Sequence, residues 1–570
     1  MSIRLSCSLI LLTVLVASVV PALPLSTLVF AAPEAVAQSR ANEVHSDFNG
    51  DGYEDLAISV PEEDVGSISN AGAVHILYGS PSGLQTSSPA DQLWTQDSPG
   101  VEDAAEEGDR FGMSLAAGDF NNDGYEDLAV SAPWENSATR NNPGAVNVLY
   151  GSATGLQTSS PADQFWSQDS PGVEDVGEFN DFLGLSMAAN DFNGDGFDDL
   201  AIGVSHEDIG DAGGAGAVNV LYGSSSGLQT SSPADQFWHQ NSPGVNDVAE
   251  AGDAFGGMLV AGDFNGDGYG DLAIGGSSVN HQGNLGTGGG AEDIGTLTNA
   301  GAISVLYGGA AGLQTSSPAD QFWSQDSPGV EDAAETGPFG NGDRFGASLV
   351  AGDFNGDGYD DLAIGVPEEN GDTAGGAVNV LFGSSSGLRS NAAGDGTGRA
   401  DHFWHQNSPG VEGPADISDR FGMSLAAGDF NDDGKDDLAI GAAEEFSSSQ
   451  SPPGEVNVLY GSSGGLQTAS PPDQLWTQNS PGVEDTTENG DNFGSFVKEG
   501  DFNGDGYGDL AAAAETEGIG AKPSAGAVNI LYGSATGLQT TSPVDQFWNQ
   551  DTPGVEENAV GYDLFGYSLG

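Results

Sequence analysis

The chain has almost no cysteine and very little positive charge. Its one cysteine, Cys7, lies in an apolar N-terminal stretch, so no disulfide framework holds the rest together. Only 11 Lys and Arg stand against 85 Asp and Glu, a net charge of −74. Such a surface repels phosphate backbones and anionic lipid headgroups, which excludes nucleic acid as a partner. The seven histidines (His45, His75, His206, His239, His281, His402 and His405) are scattered and show no zinc spacing. No strand-to-helix elbow carrying G-x-S-x-G supplies a serine nucleophile, and no thiol is placed to supply another. Carboxylates are so numerous that an acid pair of the glycosidase kind is possible by inventory. None outside the repeated segments stands apart from its neighbours, however, and the reading at this level is that the chain is not an enzyme. Disorder is also excluded: 37% of residues are apolar, and they recur in an ordered pattern.

Glycine is abundant, at 89 residues with 27 prolines, which leaves little room for long helices and implies short strands joined by tight turns. The N-terminus reads as a secretory signal over residues 1–37. Arg4 is followed by an apolar run from Leu9 to Phe30, and Ala35-Val36-Ala37 offers a cleavage site before Gln38. The competing reading is an uncleaved anchor, because the run is long. After cleavage, residues 38–570 form one secreted or cell-surface domain with no membrane insertion.

One nine-residue motif occurs seven times, starting at Asp47, Asp119, Asp191, Asp263, Asp353, Asp429 and Asp501, at intervals of 72, 72, 72, 90, 76 and 72 residues. Around the second copy, Ser114–Gly118, Leu128–Val130, Gly144–Tyr150 and Asp163–Gln168 carry the alternating or β-branched patterns of four strands. Four strands per repeat predict an all-β fold, a seven-bladed β-propeller of four-stranded blades.

Each motif places oxygen donors at alternate positions of a tightly curled loop, with a backbone carbonyl at the seventh. The seven sets are Asp47, Asn49, Asp51, Tyr53 and Asp55; Asp119, Asn121, Asp123, Tyr125 and Asp127; Asp191, Asn193, Asp195, Phe197 and Asp199; Asp263, Asn265, Asp267, Tyr269 and Asp271; Asp353, Asn355, Asp357, Tyr359 and Asp361; Asp429, Asn431, Asp433, Lys435 and Asp437; and Asp501, Asn503, Asp505, Tyr507 and Asp509. This donor set suits a hard cation wanting six to eight oxygens, and the absence of His and Cys favours calcium over zinc or copper. The expectation is structural calcium, about one ion per repeat, seven in all. No helix pattern flanks the loops and no Glu follows at position twelve, so they are not EF-hands.

The pairing of Phe-Gly (Phe111-Gly112) with a downstream Gly-Ala-Pro-like turn resembles the FG-GAP repeats of integrin α-subunit propellers. That turn stands as Ser59-Val60-Pro61, Ser131-Ala132-Pro133 and Gly365-Val366-Pro367. Leu183 departs from the expected Phe, and several repeats lack the Pro. The resemblance implies a secreted adhesion or ligand-binding module whose calcium loops lie on the face opposite the ligand. A lectin-like carbohydrate binder is the alternative, and an extracellular hydrolase or lyase is placed behind both. The first motif lacks a Phe-Gly upstream, while Phe565–Gly570 supplies one, so the C-terminus is expected to close the first blade; a truncated eighth repeat is the alternative.

Turns between second and third strands vary freely (Pro61–Ala71, Trp134–Pro143, and a Gly-rich insertion around Ser277–Ala300), whereas those between third and fourth strands hardly change (Gly151–Gln164, Gly223–Gln236). Binding residues favour such variable loops over a rigid scaffold. Trp134, with Arg140 nearby, is the candidate contact for an extracellular protein or glycan ligand. The other seven tryptophans recur once per repeat and are read as packing residues.

Overall fold

The computed structural model describes residues 46–570 apart from 138–139, 277–291, 296, 336–341, 370–374, 391–401, 414, 416–418 and 444–453. Those residues form seven four-stranded antiparallel blades of a β-propeller, as the repeat predicts, and no helix occurs among them. In the second blade the strands are Leu115–Gly118, Asp127–Ala132, Ala145–Leu149 and Gln164–Trp166, hydrogen-bonded in that order. The signal segment, residue 45 and most of the fourth blade's Gly-rich insertion lie outside the described residues.

The second and third strands read as near-continuous apolar runs because both of their faces are covered. Asp127–Ala132 and Ala145–Leu149 are buried at every position. The cores lie between blades. Ala57, Val74 and Ile76 of the first blade pack with Leu115, Leu128 and Val130 of the second. The same construction recurs around the ring, ending with Ala511, Val528 and Ile530 of the seventh blade against Leu56, Ile58 and Val60 of the first. At ~1.5–3 kcal/mol for each buried Leu, Ile or Val, these interfaces carry the main stabilisation. The recurring tryptophans pack against their edges, Trp94, Trp166 and Trp238 among them.

The first blade has three strands of its own, Leu56–Val60, Ala73–Leu77 and Gln92–Trp94. Its fourth comes from the C-terminus. Ala57 N donates to Gly570 O and Gly570 N to Ala57 O, both at 3.0 Å, and Ser59 N donates to Ser568 O at 3.0 Å. Gly566 N returns a bond to Ser59 O at 3.0 Å.

Two side-chain clutches repeat between blades. Tyr78 Oη donates to Gln92 Oε1 at 2.5 Å, and Gln92 exchanges bonds with the Leu156 backbone of the next blade at 3.0 Å each. The second clutch joins Gln96 Nε2 to Glu135 Oε2 of the next blade at 2.8 Å. It recurs from Gln168 to Glu207, Gln240 to Glu292, Gln325 to Glu369, Gln406 to Glu455 and Gln478 to Glu517. Gln550 to Glu63 at 2.6 Å closes the circle.

Candidate metal centres and the opposite face

In an antiparallel four-stranded blade, the turn between strands one and two shares an end of the ring with the turn between three and four. The turn between two and three shares the other end with the link into the next blade. The seven aspartate motifs therefore line one end, and Trp134 and Arg140 stand at the other.

Each motif closes a hairpin between paired strands; in the second blade Gly118 faces Asp127 across the ladder. The first aspartate shapes the loop by accepting from its backbone. Asp119 Oδ1 takes Asp123 N at 3.0 Å and Oδ2 takes Gly124 N at 2.9 Å, while Asp123 Oδ1 takes Tyr125 N at 3.2 Å. The sixth position has φ between +82° and +88° in all seven loops, which only glycine adopts without strain. The ninth-position aspartate is wholly buried. Asp127 accepts Gly151 N at 2.9 Å and lies within 3.3 Å of Asn121 Nδ2 through both oxygens.

Burial first, and the neighbouring first- and fifth-position carboxylates after it, push this buried acid far above the usual carboxylate range. Asp55 and Asp199 rise to about 9, and Asp127, Asp437 and Asp509 to about 8. Three carboxylates thus crowd one loop whose backbone donors cannot neutralise them. The seventh-position carbonyl takes none of the loop bonds named above. An all-oxygen donor set with an excess of negative charge fits a hard divalent cation. Two loops have a side-chain cation beside them: the sixth loop's own Lys435 Nζ lies 2.9 Å from Asp433 Oδ1, and Arg389, from the turn after the third strand, lies 3.5 Å from Asp357.

The loops also bind one another. Glu126 N donates to Asp47 O at 3.3 Å, Asp198 N to Asp119 O at 3.2 Å, and Gly270 N to Asp191 O at 2.9 Å. Asp360, Asp436 and Gly508 repeat the bond to Asp263, Asp353 and Asp429, and Glu54 N closes the circle on Asp501 O at 3.3 Å. The motif has no periodicity that announces this circle, because each bond joins positions 79 residues apart or more in the chain.

At the opposite end, Trp134 is half-buried between Arg110, 4.8 Å from its ring centroid, and Phe182 at 5.4 Å. Phe182 in turn meets His206 edge-on at 5.1 Å. Arg140 is not the cation at Trp134; it pairs with Asp169 at 3.1 Å. Arg110 also bridges Glu62 at 2.7 Å. Beside this stack a cavity of about 310 Å³ is lined by Phe179, Asn180, His206 and Asp208, and Phe179 is 66% exposed. The sequence signal for Arg110 was its place before Phe-Gly in the link between blades, a place that another Arg also takes at Arg344 and Arg420.

A family model for the FG-GAP repeat matches residues 44–77, 111–149, 183–221, 345–381, 421–458 and 499–531. The fourth blade is the one it passes over. Among curated relatives, phosphatidylinositol-glycan-specific phospholipase D of Rattus norvegicus is 36% identical over 28% of this chain and 17% of its own. Integrin alpha-PS5 of Drosophila melanogaster is 33% identical over 28% and 14%. Integrin alpha-3 of Cricetulus griseus is 31% identical over 31% and 15%. The chain thus spans about a sixth of the length of the curated relatives it matches. The rhamnogalacturonan lyase YesW covers 76% of this chain and 72% of its own at 13% identity, with a TM-score of 0.34, too slight a likeness to bear on activity.

These relatives correct one expectation. The chain was read as no enzyme because it lacks a nucleophile elbow, a reactive thiol and zinc spacing, yet repeats of this kind are shared with proteins named as phospholipases. Those absences exclude particular chemistries and no more. Half-buried acids such as Glu455, pushed up to about 7 by partial burial and then by Asp419, can gain or lose a proton near neutrality.

Proposed function

On the premise that this chain is an FG-GAP repeat protein whose ring resembles the integrin α propeller, we propose that it is a secreted, calcium-stabilised propeller that binds an extracellular ligand on the face opposite its metal loops. One observation carries the reading: in all seven loops a fully buried ninth-position aspartate faces two further carboxylates. Calcium would lie among the first, third, fifth and ninth side chains and the seventh carbonyl. Its chemistry there is structural, holding acids together that would otherwise repel. Seven divalent ions would bring the net charge from −74 to −60.

The ligand face offers Trp134, Phe179 and His206 beside Arg110, a mixture of aromatic surface and charge that suits a protein or glycan. Integrin relatives favour adhesion, and the phospholipase relatives favour service beside a catalytic site; the role assigned to the ring is the same in both. No helix among the described residues is long and apolar enough to cross a membrane.

The test is a thermal melt of residues 38–570 with calcium, with excess chelator, and with magnesium after chelation. A large fall in midpoint on chelation, restored by calcium and poorly by magnesium, is the expected result. An unchanged midpoint with no bound calcium by elemental analysis would sink the reading. Ligand class is then separated by glycan and peptide arrays, with Trp134→Ala and Phe179→Ala expected to reduce the signal.

A further inference from the structure

Two positions of the aspartate motif reach past their own loop to the loop of the preceding blade. Tyr269, at the seventh position of the fourth loop, packs over the third, where a Cβ on Gly194 would stand 2.5 Å from its ring. Tyr359 covers Gly266 of the fourth loop in the same way. The eighth position makes the more specific contact. Asp198 N donates to Asp119 O at 3.2 Å, and Asp119 N donates back to Asp198 Oδ2 at 2.9 Å. Asp360 and Asp263 repeat this closed pair, as do Asp436 and Asp353, with the bond to the side chain at 2.7 Å in each. Both backbone groups of the first aspartate are thus held by one residue of the next blade.

Departures from the repeat follow this contact. In the fourth and seventh blades the eighth residue is glycine, and another polar side chain fills the space. A Cβ on Gly270 would collide with Asn190 Oδ1, and one on Gly508 would stand 2.8 Å from Glu499 Oε1. Asn190 itself replaces the glycine that ends the first strand in the second, fourth and fifth blades, Gly118, Gly262 and Gly352. A Cβ on any of those three would come within 3.3 Å of Asp198, Asp360 or Asp436 respectively. Between the third and fourth blades, side chain and glycine have therefore changed sides of one interface. Acids that merely faced solvent would not require the exchange. Glu126, one methylene longer than these aspartates, has its Oε2 buried without a partner, so the closed pair belongs to the shorter acid.

What stands next to the eighth position gives the contact its consequence. Asp199, Asp361 and Asp437 follow directly and are the wholly buried ninth-position acids of their own loops. Ordering the ninth acid around an ion orders the eighth, and the eighth holds the first acid of the loop before. We propose that Asp198, Asp360 and Asp436 are positioning residues for the ion in the preceding blade's loop, so that adjacent loops load calcium cooperatively, a role that rests on the calcium reading of the loops given above. Coupling of this kind is reciprocal: emptying either loop of a pair weakens the other.

The experiment measures calcium bound to the full chain by equilibrium dialysis over a chelator-buffered series of free calcium. Asp195→Ala, at an exposed position, is expected to empty the third loop and lower the count by one. In that background Asp198→Ala can no longer act through its own loop. It is expected to weaken one of the remaining sites by about tenfold. Asp198→Asn, which keeps an acceptor oxygen, is expected to return most of that affinity. Adding Asp123→Ala, which empties the second loop, should remove the weakened site from the isotherm. Remaining sites that are unchanged by Asp198→Ala would overturn the positioning role. Should Asp198→Ala fail to fold by circular dichroism, Asp360→Ala in an Asp357→Ala background makes the same measurement on the fourth loop. Sites that bind calcium independently overturn the coupling alone, whereas a wild type that binds none overturns the calcium reading with it.

Discussion

His75 takes the place that Asn147, Asn219, Asn457 and Asn529 hold in other blades. Those asparagines donate to the carbonyls of Glu102, Glu174, Glu412 and Glu484 in the link, at 2.8–3.1 Å. His75 is 0% exposed and neither of its ring nitrogens has a partner. Burial lowers its pKa from the ordinary 6.5 to about 4. With the folded value depressed, the unfolded chain binds more protons between those limits; the contribution is intact above pH 6.5 and is lost as pH falls through 4. His75→Asn is expected to add ~1 kcal/mol near neutrality by restoring a buried hydrogen bond. Its advantage should widen on acidification, which urea unfolding at two pH values would register; an advantage that stays constant would refute the argument. The same scale shows where sequence reasoning stops. Trp134 was legible as exceptional because it falls outside the repeat, but proximity along the chain suggested Arg140. Folding instead brings Arg110 over it, since the link and the turn share an end of the blade.

The aspartate loop was the most legible element, because its chemistry is local: donors, glycine and hairpin all lie within nine residues. Its bonds to neighbouring loops were not, nor were the Gln–Glu clutches, whose partners stand 39 residues apart or more and carry no motif of their own. Within the set, the sixth loop differs in a way that should be measurable. Its Lys435 ammonium lies 2.9 Å from the Asp433 carboxylate and 3.3 Å from the Asp433 carbonyl, charge that a divalent ion must displace or tolerate. Lys435→Tyr, which restores the residue of most other loops, is expected to tighten this loop for calcium by about fivefold, or ~1 kcal/mol. Titration calorimetry on the full chain would show the weakest class of sites merging with the rest. If the weakest class persists unchanged, the lysine is not what sets it.

Across the whole molecule, fold and blade count were readable because a period repeated seven times leaves few architectures, while most of the fourth blade's long insertion lies outside the described residues. A chain with 85 acids and 11 basic side chains is under strong self-repulsion. Without calcium, raising salt from about 10 mM to about 0.5 M shortens the screening length from roughly 30 Å to a few ångströms. The melting midpoint of the chelated protein should therefore climb with sodium chloride, and the gap between chelated and calcium-loaded forms should narrow. A midpoint indifferent to salt would mean that repulsion does not limit the ring. The exchange of bonds between Ala57 and Gly570 has a consequence for timing. A ribosome delivers the first blade's outer strands some five hundred residues before the piece that covers their inner edge. Until then the nascent chain carries an unpaired strand edge at each end, the condition in which neighbouring copies stitch together. Such a chain gains from being held extended until the closing strand has been made.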